Sequence, residues 1–362
     1  MSSRLEKVDP AVRAQIIESG DLVWLDPMQE SKFEISGFNY IRVDHCYERL
    51  PREGTEHIRE FVRGLGRCTT GGQIRFRTDS CRIVLYIKKM DFEKSATGDT
   101  NQKDFDLYVG PRGREVYWSS VYNPGATAYV GGLFQAKQKK MREFLINFPV
   151  YCGIEELLVG LEKDSLLEEV KPRKHSRRVV IYGTSITQGG FCSRPGLAFT
   201  NILSRRLQRE FLNFAFSGNG KNDPEIAELL AKVEDPAMFI VDSQGNCVTK
   251  DLATEKLPQF IRILRAAHPQ VPIVIVSHVP VGACRVTSWG CHKMKKYYFK
   301  VYNDLKKEGD SHLYWIDGEN VWNKEVSHEC TNDGVHPNDL GFYLIAQYLE
   351  KPLKKLLRKY GK

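Results

Sequence analysis

The hydrophobic pattern of this chain changes period near residue 178, and that change limits it to two different layered structures joined in one molecule. From about Gly71 to Pro149 the period is two. Ile74 and Phe76 alternate with Gln73, Arg75 and Arg77. Ile83, Leu85 and Ile87 follow, then Phe105, Leu107 and Val109, then Phe144, Ile146 and Phe148. Turn signals separate these runs: Gly110-Pro-Arg-Gly113, Asn123-Pro-Gly125 and Gly131-Gly132. Short alternating strands at this spacing predict an antiparallel β-sandwich of jelly-roll-like type. Ahead of it, Met1 to Glu30 holds a helix-like stretch around Val12 to Glu18. Behind it, the charged segment Leu161 to Arg178 ends in Lys171-Pro-Arg-Lys-His-Ser-Arg-Arg178 and reads as a connector. A chain of 362 residues is long enough for two cores, so the expected domains are 1–170 and 171–362.

In the second half compact apolar strands alternate with helical patterns. Strands are expected at Val179–Tyr182, Leu212–Phe216, Ala237–Val241, Pro272–Val276 and Leu313–Ile316. Helices are expected over Gly196–Phe211, after Asn222-Asp-Pro-Glu225, and over Lys256–Ala267, Met294–Lys307 and Asp339–Leu357. Five continuous apolar strands with helices between them predict a parallel sheet covered on both faces. Ligands in such folds sit beyond the carboxyl ends of the strands.

Bulk composition removes several classes. Hydrophobic residues make up 41% and charged residues 27%, which is ordinary for a globular protein and excludes disordered and fibrous chains. The net charge of +8 is spread along the chain, with its densest run in the tail from Lys351 to Lys362. Leu353, Leu356 and Leu357 interleave with those lysines, as on the solvated face of a terminal amphipathic helix, so neither a nucleic-acid nor a membrane partner is expected. The N-terminus places charges where a signal peptide needs its apolar stretch, and no run approaches the ~18 apolar residues of a membrane span. The nine cysteines are odd in number and form no CxxC pair. They read as small buried hydrophobes in a reducing cytoplasm rather than as a disulfide framework or a zinc site.

The polar residues at the strand ends carry the chemistry. Strand one ends in Tyr182-Gly-Thr-Ser185-Ile-Thr-Gln-Gly-Gly190. It lacks the Lys-Ser/Thr of a phosphate loop, the GxGxxG of a dinucleotide site and the GxSxG of an α/β-hydrolase elbow. Strand two ends in Phe216-Ser-Gly-Asn-Gly220, and strand three in Asp242-Ser-Gln-Gly-Asn-Cys247. After strand five comes Asn332-Asp-Gly-Val-His-Pro337. An acid three residues before a histidine on a short loop lets the carboxylate hold one ring nitrogen while the other faces a serine.

In that chain order the four segments resemble the signature blocks of the SGNH (GDSL-like) hydrolase superfamily. They are most similar to a bacterial subgroup with a "YGTSITQGG…SRPG" start and "DGVHP"-like end; its N-terminal β-sandwich agrees with the period-two half. The resemblance covers about Arg178 to Tyr348. It implies a three-layer α/β/α, flavodoxin-like catalytic domain and a serine esterase acting on short acyl groups, acetyl above all, of a carbohydrate or similar polyol. Ser185 matches the nucleophile, His336 the base and Asp333 its orienting acid. The backbone N–H groups of Ser185 and Gly218 and the Asn246 amide match the oxyanion donors. The third block departs from Gly-x-Asn-Asp, because Gly245 directly precedes Asn246 and Cys247 stands where Asp is usual. No metal or other cofactor is implied. Arg194 near the nucleophile, and Arg285 and Trp289 in the loop after strand four, are candidates for the pocket border; loop packing explains them equally well. A thioesterase or lysophospholipase on the same scaffold, and a non-catalytic carbohydrate-binding protein, are the alternative readings.

Overall fold

The computed structural model describes residues 20–90, 104–281, 293–323 and 325–360. The helix-like stretch expected at Val12–Glu18 lies outside these residues, as do Arg285 and Trp289.

The first half contains ten strands: β1 (Leu22–Leu25), β2 (Glu34–Ser36), β3 (Gln73–Thr78), β4 (Arg82–Lys89), β5 (Phe105–Val109), β6 (Val116–Val121), β7 (Ala128–Gln135), β8 (Arg142–Asn147), β9 (Ile154–Glu162) and β10 (Leu167–Glu168). They form two antiparallel sheets, β1-β9-β4-β7 and β10-β3-β8-β5-β6, with β2 also pairing to β3. The alternation read from the sequence is the reason for this pairing. Ile74, Phe76, Phe105, Leu107, Phe144 and Ile146 meet Ile83, Leu85, Ile87, Leu157 and Val159 in one buried cluster between the sheets.

Two expectations need correction. Gly131-Gly132 is not a turn but lies inside β7 beside an irregularity at Ile83/Val84, and a Cβ on Gly131 would come 2.8 Å from the Val121 side chain. The connector also begins later than Leu161, because β9 runs to Glu162 and β10 pairs with Arg77 and Thr78. Its charges are tolerated there because Glu168 is exposed and meets Arg77.

The second half is a five-stranded parallel sheet of β11 (Val179–Gly183), β12 (Phe211–Ala215), β13 (Met238–Asp242), β14 (Ile273–Val276) and β15 (Leu313–Ile316), in the order β12-β11-β13-β14-β15. Two short helices of the first half, α1 (Ile41–Asp44) and α2 (Glu60–Gly66), precede the helices of this layer. Those are α3 (Ser185–Gln188), α4 (Phe199–Leu207), α5 (Pro224–Ala231), α6 (Leu257–Ala267), α7 (Lys295–Lys307) and α8 (Asp339–Tyr360). Val180, Tyr182, Phe214 and Val241 face α5, α6 and α7, whereas Val179, Ile181, Phe211 and Ile240 face α4 and α8. The strand order reverses at β11, so the crevice of this sheet opens between β12, β11 and β13. In register, Gly183 stands level with Ala215 on one side and Asp242 on the other.

The two halves share a core. Leu50, Ile58, Val62, Leu65 and Cys68, all from the first half, are buried in the cluster beneath α5 and α6. Full burial of an aliphatic side chain contributes about 1.5–3 kcal/mol, so this small set holds the halves together firmly. No helix among the described residues is long and apolar enough to cross a membrane. The seven described cysteines are unbridged, and five of them are buried.

Candidate active site

The crevice is assembled one strand end at a time. β11 stops at Gly183, where a Cβ would lie 2.1 Å from the Thr187 hydroxyl and 2.8 Å from the Asp242 carbonyl. Only glycine lets the chain turn there. Thr184 then caps α3: its hydroxyl accepts from Ile186 N, and its own N–H donates to Thr187 Oγ1. α3 is a single turn, ended by Gly189 at φ +103°. Gly190 donates its N–H to the Ser185 carbonyl at 2.8 Å, and a Cβ there would lie 2.8 Å from the Tyr151 hydroxyl. Ser185 is thereby fixed as the first residue of a helix whose turn has little freedom.

The loop after β15 supplies its partners. Asp333 Oδ1 accepts from Val335 N at 2.9 Å and His336 N at 2.7 Å, which folds the loop back on itself. Asp333 Oδ2 lies 2.7 Å from His336 Nδ1, and His336 Nε2 lies 2.9 Å from Ser185 Oγ. Geometry assigns the tautomer: Nδ1–H donates to the carboxylate, so Nε2 accepts from the serine hydroxyl. Partial burial opposes ionisation of Asp333, but the bonds from the His336 backbone and ring and from Val335 N outweigh it. They hold the carboxyl below its ordinary value.

The second and third loops close the crevice opposite. Gly218 has φ +67° and open space where a side chain would stand, whereas a Cβ on Gly220 would lie 2.3 Å from the Gly183 carbonyl. Asn246, at the end of a short turn after β13, accepts from Gly220 N through Oδ1 at 3.1 Å. That bond orients the amide and leaves Nδ2 as the donating end. Ser217 N donates to Gln188 Oε1 at 2.9 Å, and the Gln188 carbonyl accepts from the Thr70 hydroxyl at 2.6 Å. The Gly218 loop, α3 and the first half of the chain are therefore tied in series.

The structure thus brings together Ser185, His336 and Asp333, and joins the loops of Gly218 and Asn246 to them. Arg194, a candidate for the pocket border or for loop packing, is held by the first half of the chain. Its guanidinium donates to Asp106 Oδ2 at 2.8 Å and Tyr108 OH at 2.7 Å and stacks over the Tyr117 ring at 3.7 Å. A fully buried carboxylate on β5 captures it, so it fastens the two halves. Two residues escaped the sequence reading. Asp242, at the end of β13, accepts from Thr187 Oγ1 at 2.7 Å, and desolvation pushes its carboxyl up to about 7 despite that bond. Phe191 stacks on the His336 ring, with centroids 4.8 Å apart and planes 27° from parallel. The signal for Asp242 was an acid ending an apolar strand; for Phe191 there was only its place after Gly189-Gly190.

Comparison with known proteins agrees with this architecture. A family model described as the GDSL-like lipase/acylhydrolase family matches residues 176–354, and a second, the N-terminus of SGNH-hydrolase-type esterases, matches residues 22–167. No curated protein matches the chain. Among solved structures, a putative GDSL-like lipase from Bacteroides ovatus is 25% identical with a TM-score of 0.84, covering 93% of this chain and 98% of its own. The salicylyl-acyltransferase SsfX3 from a tetracycline biosynthetic pathway is 18% identical with a TM-score of 0.76, covering 94% and 99%. A family two carbohydrate esterase from Clostridium thermocellum, solved with cellohexaose, is 14% identical with a TM-score of 0.59, covering 93% and 99%. With both halves matched in order, the chain belongs to the GDSL-like lipase/acylhydrolase family of SGNH hydrolases and is a carboxylic ester hydrolase.

Proposed function

We propose that this protein is a serine esterase that removes short acyl groups, acetyl above all, from a carbohydrate or similar polyol. The observation that carries the chemistry is the unbroken relay from Ser185 Oγ through His336 to Asp333, at 2.9 and 2.7 Å. His336 Nε2 takes the hydroxyl proton as Ser185 Oγ attacks the ester carbonyl carbon. Asp333 stabilises the imidazolium that forms. The backbone N–H groups of Ser185 and Gly218 and the Asn246 Nδ2 donate to the tetrahedral oxyanion. His336 returns its proton to the departing alcohol, leaving an acyl-enzyme. Water activated by the same imidazole then attacks the acyl-enzyme and frees the acid and Ser185.

The likeness to a carbohydrate esterase fold supports a sugar or polyol acceptor. The period-two half, proposed as a domain over 1–170 beside a hydrolase domain over 171–362, is read as a structural partner of the site, since Thr70, Asp106 and Tyr151 all touch its loops. A reducing compartment is proposed because the described cysteines are unbridged.

Ser185→Ala should lower hydrolysis of p-nitrophenyl acetate by at least roughly 10⁴-fold with the thermal transition unchanged, and an undiminished rate would overturn the nucleophile assignment. Asn246→Ala should cost roughly 10²–10³-fold in kcat. Acetate release from acetylated xylan, chitooligosaccharides and simple sugar acetates, set against turnover of long-chain acyl-CoA, tests the substrate class. Faster acyl-CoA turnover would replace it with a thioesterase reading.

A further inference from the structure

Phe191 occupies a position that its residue type does not favour. Its backbone sits at φ +72°, a region bulky side chains rarely adopt and glycine adopts readily. Two contacts hold it there. The Asn332 side chain donates through Nδ2 to the Phe191 carbonyl at 3.2 Å, while Asn332 N donates to the His336 carbonyl at 3.0 Å. Asn332 is thus a bridge between the loop after α3 and the loop that carries the histidine. The second contact is the stack of the Phe191 ring on the imidazole itself.

The groups around that imidazole divide its surfaces among them. Nδ1 faces Asp333, Nε2 faces Ser185, and a ring face is covered by Phe191. Beyond Phe191 on the same loop, Ser193 N donates to the Asp339 carboxylate at the start of α8, which fastens the loop's far end. The π-face of an aromatic ring attracts a cation within about 6 Å of its centroid, and the attraction strengthens where water is excluded. A neutral imidazole gains little from such a face. The imidazolium, which exists only while His336 carries the serine proton, gains more.

We infer that Phe191 is a positioning residue for the ester-hydrolase reaction, holding the His336 ring in line with Ser185 and favouring its protonated form as the oxyanion develops. The strained backbone places the ring on the imidazole and turns the Phe191 carbonyl to Asn332. This inference rests on His336 acting as the base.

The test replaces the ring in the full-length chain. Phe191→Leu and Phe191→Met remove the π-face and keep apolar bulk, while Phe191→Tyr keeps the face. With p-nitrophenyl acetate, the Leu and Met variants should lose roughly 2- to 10-fold in kcat with KM within about twofold, and Tyr should stay within about twofold of the parent. The NMR titration midpoint of the His336 imidazole should fall by roughly 0.4 to 1 unit in the Leu and Met variants and hold in Tyr. Undiminished kcat in Leu and Met, an equal loss in Tyr, or an unmoved midpoint would overturn the inference. The midpoint is read without turnover, so it judges the stack even if Ser185→Ala were to show that the nucleophile is elsewhere.

Discussion

Asp242 and Asp333 lie in one crevice, yet their surroundings push their carboxyl groups in opposite directions. Asp333 is depressed, so the stability it contributes is present at neutral pH and is lost as pH falls below the ordinary carboxylate range. Asp242 is raised to about 7, and the sign reverses. The folded protein holds that proton between about pH 4 and 7 while the unfolded chain releases it, so stability declines as pH rises through that window and levels off above it. Asp242→Asn cannot ionise but can still accept from Thr187. It should be more stable than the parent at pH 8 by roughly 1–4 kcal/mol, with the gap closing toward pH 4, as read from urea unfolding at both values. At this scale the grouping of Ser185, Asp333 and His336 was legible, because all three are polar residues beyond the carboxyl ends of strands. The sequence left Arg194 open between a pocket border and loop packing, because its acid, Asp106, lies 88 residues upstream. Phe191 was illegible for another reason: its role depends on a backbone angle that residue type does not announce.

Among the elements, the turns do more than the helices to shape the site. Gly218 and Gly220 lie two residues apart and have different constraints. Gly218 has a positive φ with open space, so Gly218→Ala strains the backbone by about 1 kcal/mol without a clash. Gly220 lies against the Gly183 carbonyl, so Gly220→Ala must push its own loop, which holds Asn246 Oδ1 through Gly220 N, away from the Ser185-bearing turn. Urea unfolding should rank Gly220→Ala as the costlier by about 1–3 kcal/mol, and Gly220→Ala should also lose the greater share of kcat. The parallel strands were legible to within a residue or two, because buried strands are continuous apolar runs. β6 was missed because Val116, Tyr117 and Trp118 are all exposed at a sheet edge, which erases the alternation. β7 was missed because its glycine pair mimics a turn.

For the whole molecule, one buried cation links the halves to the chemistry. Arg49 is 1% exposed, and its hydrogen-bond partners among the described residues are backbone carbonyls rather than carboxylates. Its guanidinium donates to the carbonyls of Cys68, Leu65, Asn213 and Ala215 and lies 5.1 Å from the Phe216 ring centroid. Burial lowers its pKa to about 10, which still leaves it charged at neutral pH. Arg49→Met would leave two carbonyls at the end of β12, directly before the Gly218 loop, and those of Leu65 and Cys68 without that donor. We expect a loss of roughly 2–4 kcal/mol in unfolding free energy together with a lower kcat, measured on the same preparation. The bonds to Asn213 and Ala215 also join residues 164 and 166 positions apart along the chain. Contacts of such long span form slowly, because the intervening loop must close before they form. The Gly218 loop should therefore be among the last parts to reach its native place. After dilution from denaturant, helix signal should return first and ester hydrolysis with the slowest phase, so that catalysis itself serves as the clock for completed folding.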